Sequence, residues 1–256
     1  MSNTNPFLHW LVSIKGFFRL INNRRLNTRF SVLPPPRLLI ALLLAGVFLI
    51  TILGFFADPV FLQWFQAGNA QKGGWFAYTT DIAKSNWILI STGSILLVMS
   101  LFRTDRFSAR KRIRWHRTSL TFYFLFTTTA FSGLLALLMK NAIGRARPRF
   151  VEDMQVWQLS PFGDNYEFAS FPSGHATTAG AVAMALALLF PRMAVFLLLA
   201  AIWLAATRVV IGVHFPSDVT AGVLFGALFS WLYARAFAHR RILFEFEDTG
   251  KLRLRR

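Results

Sequence analysis

The chain has 256 residues, of which 55% are hydrophobic and 28 are phenylalanine, a composition far more apolar than that of a typical soluble domain. Its net charge of +17 would suit a nucleic-acid-binding protein, but most of the basic residues lie in the gaps between apolar runs, so we expect no binding to nucleic acid. The absence of cysteine excludes disulfides, thiolate catalysis and cysteine-based metal sites.

Six apolar runs approach or reach the roughly 20 residues that a helix needs to cross a bilayer. They cover residues 38–56, 87–102, 119–139, 175–190, 194–212 and 218–236. The predicted fold class is therefore all-α, a polytopic membrane bundle with about six transmembrane helices. The predicted organisation is a basic N-terminal segment (1–37), a six-span domain (38–236) and a basic tail (237–256).

The distribution of charge predicts the orientation in the bilayer. Of the 28 lysines and arginines, 21 fall before the first run, between the second and third, between the fourth and fifth, or from Arg235 at the end of the sixth run onward. Such residues stay on the cytoplasmic side, so both termini are expected there, in contact with anionic headgroups. The sequence predicts either a helix on the membrane surface or a partly ordered tail for residues 6–21. It predicts an outer connection for residues 57–86 and a cytoplasmic basic loop for residues 109–117.

Three polar clusters lie on the predicted outer side. KNAIGRARP ends the third run, PSGH opens the fourth, and TRVVIGVHFPSD joins the fifth to the sixth. The candidate site residues in these clusters are Lys140, Arg147, Ser173, Gly174, His175, Arg208, His214 and Asp218. Chemically rich loops on one face of a membrane protein usually mark its working face.

Taken singly, several of these residues have ordinary explanations. Lys140 can extend its amine to the headgroups, Ser173 and Gly174 can form a helix cap and turn, and His175 can be a satisfied interfacial histidine. Arg208 is harder to explain, because a charge inside an apolar span costs about 2.5–3.5 kcal/mol. The convergence of all three clusters on one face therefore favours a shared site.

The composition of that site indicates a phosphate ligand. A helix N-terminus presents unpaired N–H groups and a positive dipole, and Gly174 lets an anion approach the backbone closely. The three cations Lys140, Arg147 and Arg208 would neutralise the non-bridging oxygens as charge develops in the transition state. The small residues that follow His175 are expected to let the fourth span pack closely against its neighbours.

The two histidines predict a division of catalytic roles. His214 precedes Asp218 by four residues, a spacing that brings the carboxylate to one ring nitrogen and leaves the other free to attack phosphorus. His175 is then the candidate acid that protonates the leaving oxygen. A dinuclear metal site would need clustered carboxylates, and no spacing among the outer acids fits one, so no metal or other cofactor is expected.

The three clusters resemble the signature of the type 2 phosphatidic acid phosphatase superfamily. That signature reads Lys-x6-Arg-Pro, then Pro-Ser-Gly-His, then Ser-Arg-x5-His-x3-Asp, and this chain departs from it only at Thr207, which replaces the serine. The resemblance implies an all-helical core and metal-independent hydrolysis of phosphate esters or anhydrides, with His214 as the nucleophile. The soluble vanadate-dependent haloperoxidases share these motifs, but the six predicted spans disfavour that interpretation.

The topology and the resemblance together predict an integral membrane lipid phosphatase whose site faces the periplasm of a bacterial inner membrane. Phosphatidic acid, phosphatidylglycerol phosphate, undecaprenyl diphosphate and lipid A are all compatible substrates. The alternatives are a lipid phosphotransferase that uses the same site and a non-catalytic protein that binds or moves phospholipids. The pair of histidines favours catalysis, since binding alone has no use for them.

Overall fold

The computed structural model describes residues 26–27, 29–69, 74–102, 104, 107–151, 153–163 and 166–255. The surface segment predicted at 6–21 lies outside these residues. The helices of the described part are α1 Pro36–Ile52, α2 Asp58–Trp64, α3 Trp75–Thr80, α4 Ser85–Leu101, α5 Ala109–Ile143, α6 Gly174–Leu189, α7 Ala194–Val210 and α8 Pro216–His239. The strands β1 (Phe244–Phe246) and β2 (Leu252–Leu254) pair antiparallel as a small hairpin.

The helices reproduce the predicted apolar runs. Among the described residues, four helical stretches are long and apolar enough to cross a membrane: Pro36–Asn69, Ala109–Ile143, Pro191–Val210 and Pro216–His239. The two remaining runs form the shorter apolar helices α4 and α6, of 17 and 16 residues. The all-α helical fold class is therefore confirmed, with one apolar helix for each of the six predicted spans.

The first span is longer than predicted. A π-helical turn, Leu53–Ala57, joins α1 to α2, and a second π-helical turn continues the helix to Asn69. The predicted connection at 57–86 is thus wrong over its first part, because a proline at the start of α2 is tolerated where its missing N–H group is not needed. As a consequence Asp58 is not a loop residue but a fully buried one.

The basic segment 109–117 is also helical and not a loop. It forms the first turns of α5, which begins at Ala109, ten residues before the predicted span. Arginine and lysine are good helix formers, and the segment contains neither glycine nor proline. Its charge therefore marks the end of the apolar run and not the end of the helix.

The chain divides into two compact units. Leu33–Asn86 and Thr128–Trp231 form one, called here the site unit; Trp87–Thr127, Leu232–Arg256 and the residues up to Val32 form the other, called the tail unit. The predicted three-part organisation of the chain stays a prediction.

The tail unit is held by an aromatic cluster. Phe124 stacks on Tyr233 with ring centroids 5.9 Å apart and meets Phe237 and Phe244 edge-on at 5.2 and 5.0 Å. Arg235 donates hydrogen bonds to the backbone carbonyls of Val32 and Ser31 at 2.8 and 3.0 Å. These contacts give the C-terminal hairpin a packed position where the sequence predicted only a tail.

In the site unit, α6 and α8 pack with their backbones in contact. A Cβ atom on Gly180 would lie 2.3 Å from the carbonyl oxygen of Val223, and one on Gly226 would lie 2.1 Å from that of Thr177. Ala179 and Ala183 of α6 pack instead with Ala201 of α7. Seven alanines of α6 and α8 are buried in this unit: Ala176, Ala179, Ala181, Ala183, Ala185, Ala187 and Ala221. The close packing expected from the small residues of the fourth span is therefore confirmed.

This packing makes Gly226→Ala a destabilising change. The added methyl group would meet backbone atoms of Thr177 and Ala181, which cannot move without displacing α6, so we expect a loss of about 1–3 kcal/mol or more. The measurement is the unfolding temperature of the detergent-purified protein. Gly133→Ala is the matched control, because no atom of another described segment lies within 4 Å of its added Cβ; equal melting temperatures for the two variants would contradict the prediction.

Candidate active site

The N-terminus of α6 lies beside the first turn of α8. Ser173 precedes α6 in an extended conformation, and its backbone N–H donates to the carbonyl of Asp218 at 3.0 Å. Apart from its chain neighbours and its own helix, the one described atom within 4 Å of a Cβ built on Gly174 is Nζ of Lys140, at 3.9 Å. The backbone at Gly174 is thus open on the side that faces a lysine amine, as a site for an anion requires.

The three predicted cations are brought together around this helix end. Lys140, in the last turn of α5, lies within electrostatic range of Arg147 and Arg208. Arg147 donates from Nε to the backbone carbonyl of Tyr166 at 3.0 Å, and its guanidinium lies 3.8 Å from the centre of the Tyr166 ring. Arg208 donates from Nη1 to Thr80 Oγ1 at 3.3 Å.

The charge of Arg147 is stable despite its burial. Only 5% of the residue is exposed, and burial lowers its pKa from the ordinary value for arginine. Since the guanidinium ordinarily titrates above about 12, it stays protonated at neutral pH. Arg147 therefore supplies a fixed positive charge from the loop between α5 and α6.

Several polar atoms at the site are buried without a hydrogen-bond partner. In the described part of the chain, five buried side-chain atoms lack one, and three of these belong to predicted site residues: Ser173 Oγ, His175 Nε2 and Arg208 Nε. Leaving a buried polar group unpaired costs about 1–3 kcal/mol. A ligand with several oxygen atoms would satisfy these groups together.

His214 lies beside Asp218, as predicted, but the two side chains do not touch directly. Nδ1 of His214 is 3.8 Å from Oδ2 of Asp218, beyond hydrogen-bonding distance. The hydroxyl of Ser170 donates to that same Oδ2 at 2.5 Å and lies 3.4 Å from Nδ1. Ser170 is not among the predicted site residues. Its position three residues before Ser173 is the one feature of the sequence that could have indicated a place in the site.

The burial of His214 determines its charge. The residue is 2% exposed, and burial lowers its pKa to about 3, although the nearby carboxylate of Asp218 acts in the opposite direction. Its imidazole is therefore neutral at physiological pH, which is the state in which a histidine nitrogen can act as a nucleophile.

A buried ionic network holds Asp218 from its other side. Arg145 donates from Nη1 to Asp218 Oδ1 at 2.6 Å and from Nη2 to Asp58 Oδ2 at 2.8 Å. Ser217 accepts a hydrogen bond from Arg145 at 2.7 Å and donates both its hydroxyl and its backbone N–H to Asp58. All four residues are fully buried, so one guanidinium serves two carboxylates away from water.

Aromatic side chains complete the surroundings of Arg145. Its guanidinium lies 3.9 Å from the centre of the Trp157 ring and 4.3 Å from that of Phe215. Nε and Nη2 donate to the backbone carbonyl of Val156 at 3.0 and 2.9 Å. Arg145 is thus fully satisfied and positions Asp218; it is not free to bind a ligand.

Two carboxylates near the site, Asp58 and Asp218, are engaged with Arg145. Among the described residues, no group of three or more His, Cys, Asp or Glu side chains has an arrangement that could hold a metal ion. Asp58 and Asp218 each contact the guanidinium of Arg145 instead. The metal-free mechanism itself stays a prediction.

Comparison with protein families identifies the part of the chain that carries these residues. The sequence model of the PAP2 superfamily, the type 2 phosphatidic acid phosphatases, matches residues 120–242. The matched segment is a PAP2 superfamily domain. It contains the eight predicted site residues together with Arg145, Ser170 and Ser217, whereas Asp58 lies outside it. The resemblance inferred from the three motifs is therefore confirmed.

The PAP2 segment has named relatives. Over 127 residues the chain is 52% identical to the lipid A 1-phosphatase of Rhizobium etli, an alignment that covers 50% of this chain and 55% of that protein. Over 101 residues it is 35% identical to an undecaprenyl-diphosphatase of Sulfolobus acidocaldarius, covering 39% and 47%. The chain thus spans about half the length of the curated relatives it matches.

A solved structure shares the fold. It is a transmembrane PAP2 type phosphatidylglycerolphosphate phosphatase from Bacillus subtilis, matched with a TM-score of 0.51 and 22% identity over 75% of this chain and 92% of that one. This likeness establishes the architecture and carries no information on the substrate. With the apolar helices described above, it shows that this chain is a polytopic integral membrane protein.

Proposed function

We propose that this protein hydrolyses the phosphate of a membrane lipid through a phosphohistidine at His214, without a metal. The observation that carries the proposal is the set of buried, unpartnered polar atoms of Ser173, His175 and Arg208 around the open N-terminus of α6. A phosphate group would supply acceptors for the serine hydroxyl, the arginine and the backbone N–H groups at once. The neutral, buried His214 lies on the adjacent α7–α8 connection.

The reaction has two steps. In the first, Nε2 of His214 attacks phosphorus, the bond from phosphorus to the lipid oxygen breaks, and His175 gives that oxygen a proton. In the second, water attacks the phosphohistidine, His175 takes a proton from the water, and the P–N bond breaks to release inorganic phosphate and neutral His214. Lys140, Arg147 and Arg208 stabilise the charge on the equatorial oxygens in both transition states.

The proposed substrate is a lipid A type glycolipid that carries a phosphate on its 1-position. The relative named for that activity is 52% identical in the aligned half of this chain, against 35% for the undecaprenyl-diphosphatase. The distribution of lysine and arginine supports a site on the periplasmic side of a bacterial inner membrane. An amphiphile of this kind keeps its acyl chains in the bilayer while its phosphate reaches the ends of α5, α6 and α7.

The test is phosphate release by the detergent-purified protein with and without EDTA. The lipids to compare are lipid A, undecaprenyl diphosphate, phosphatidylglycerol phosphate and phosphatidic acid. We expect lipid A to be the best substrate and the rate to be unchanged by the chelator, since the proposed charge stabilisation comes from fixed cations and helix N–H groups. Thr207→Ser is the matched control: the Thr207 hydroxyl donates to the Leu204 carbonyl at 2.6 Å, a bond that serine can also make, so the variant should keep full activity.

Each other outcome identifies a different error. Release that EDTA abolishes would overturn the metal-free mechanism. Release from another lipid in preference to lipid A would overturn the substrate assignment alone. Binding of lipid A without release of phosphate, with no transfer of phosphate to an added acceptor lipid, would show a lipid-binding protein.

A further inference from the structure

The side chains of Ser170, Asp218 and His214 form a triangle of polar atoms, with Nδ1 of the histidine at one corner. Ser170 Oγ lies 2.5 Å from Asp218 Oδ2 and 3.4 Å from His214 Nδ1, while Nδ1 and Oδ2 are 3.8 Å apart. The serine hydroxyl therefore occupies the gap between the carboxylate and the imidazole. The Ser170 hydroxyl lies nearer to the imidazole ring than the Asp218 carboxylate does.

The hydrogen bonds around Asp218 assign a direction to this arrangement. The carboxylate accepts from Ser170, from the backbone N–H of Phe215 at 2.9 Å and from Arg145 at 2.6 Å. Since the serine proton points to Asp218, the oxygen of the hydroxyl can only accept from His214. Nδ1 must then carry the ring proton, and Nε2 is left unprotonated as the attacking nitrogen.

Ser170 is held in place by the protein backbone. Its N–H donates to the carbonyl of Arg145 at 3.0 Å, and the residue is fully buried. The same Arg145 binds Asp218 through its side chain. Arg145 therefore contacts both the backbone of Ser170 and the carboxylate of Asp218, and the hydroxyl itself is held in the gap by its 2.5 Å bond to Asp218.

We propose that Ser170 is a positioning residue that transmits the influence of Asp218 to His214. It fixes the Nδ1–H form of the ring in the resting state. As Nε2 bonds to phosphorus the ring becomes positive, and the charge at Nδ1–H is stabilised by the polarised hydroxyl and the carboxylate behind it. The proposal rests on the proposed function, because it refines the role of the same nucleophile.

The test compares Ser170→Ala with Ser170→Thr in lipid A hydrolysis. A hydrogen bond to a group that becomes charged in the transition state predicts a fall in kcat of roughly 10–100-fold for the alanine variant, with KM changed by less than about twofold. The threonine variant keeps the hydroxyl and should recover most of the rate. Ser230→Ala is the control, since Ser230 is equally buried and donates to the Ala181 carbonyl at 2.7 Å away from the candidate site.

A second readout does not depend on turnover. In protein labelled with ¹⁵N-histidine, the His214 signal, identified by its loss in His214→Gln, should show a protonated Nδ1 in the wild type and a mixture of tautomers in Ser170→Ala. Unchanged kcat and an unchanged tautomer in Ser170→Ala would overturn the proposal, as would a threonine variant no better than alanine. An inactive wild type whose Nδ1–H signal still depends on Ser170 would overturn the proposed function and leave the role of Ser170 intact.

Discussion

His214→Gln is expected to reduce lipid phosphate release by roughly 10⁴-fold or more, because it removes the nitrogen that attacks phosphorus while nothing nearby can replace it. Glutamine is chosen because it fills most of the space of this buried side chain and keeps a polar group beside Ser170. The measurement is the initial rate on lipid A in detergent. Size-exclusion profiles of the two proteins show whether the variant remains folded.

The proposed acid provides a contrast that separates the two histidines. In the first turnover, His175→Ala should strongly slow release of the dephosphorylated lipid, but it should spare release of the aryl alcohol from an aryl phosphate, whose leaving group departs without a proton. The second step, in which His175 takes the proton of water, is common to both substrates and should slow in both. His214→Gln should be inactive on both substrates. A His214→Gln protein that retains more than about a hundredth of the activity would contradict the nucleophile assignment. Equal losses of first-turnover alcohol release on both substrates in His175→Ala would contradict the acid.

Arg145→Met is expected to lower the stability of the protein by about 3–5 kcal/mol, because it leaves two buried carboxylates without their cation. Asp58 and Asp218 both lose their ion pair in this variant, and Asp218 also loses the contact that positions it beside Ser170. Activity should therefore fall even in the folded fraction. The measurements are the unfolding temperature in detergent and the specific activity of the monodisperse protein.

The second carboxylate of the network supplies an internal check. Asp58→Asn leaves the Arg145–Asp218 pair intact and should cost less than Arg145→Met, and the double variant should be more stable than Arg145→Met alone since one buried charge has been removed. Arg149→Met is the matched control, because Arg149 is exposed. If Arg145→Met melts at the same temperature as Arg149→Met, the buried network has no structural role.

Most of the candidate site could be predicted because its residues lie in short, local patterns. A helix that begins at Gly174 and another that begins at Pro216 follow from cap and turn chemistry, which depends on neighbours in the chain. The structure places the eight predicted site residues in the site unit and brings the cations to the start of α6. Their catalytic roles remain predictions.

Asp58 shows how one wrong boundary hid a buried group. The sequence predicts that the apolar run ends at residue 56 and places the aspartate in a loop, whereas the helix continues through Pro59 to Asn69. An acid within an apolar helix is costly and signals a partner. That partner, Arg145, is 87 residues away in the chain, and no local pattern connects the two.

By itself the sequence determined the apolar runs, the small-residue helix that packs closely, and the motif residues around one helix end, because all of these depend on periodicity, composition and short spacing. Only the tertiary structure decided what holds His214 and Asp218 in place. Ser170 reaches Asp218 across 48 residues and Arg145 reaches it across 73, so these contacts exist only once the helices have packed. Hydrogen-bond partners in a buried network are selected by that packing, and a residue such as Ser170 carries no mark of its partner in its own sequence neighbourhood.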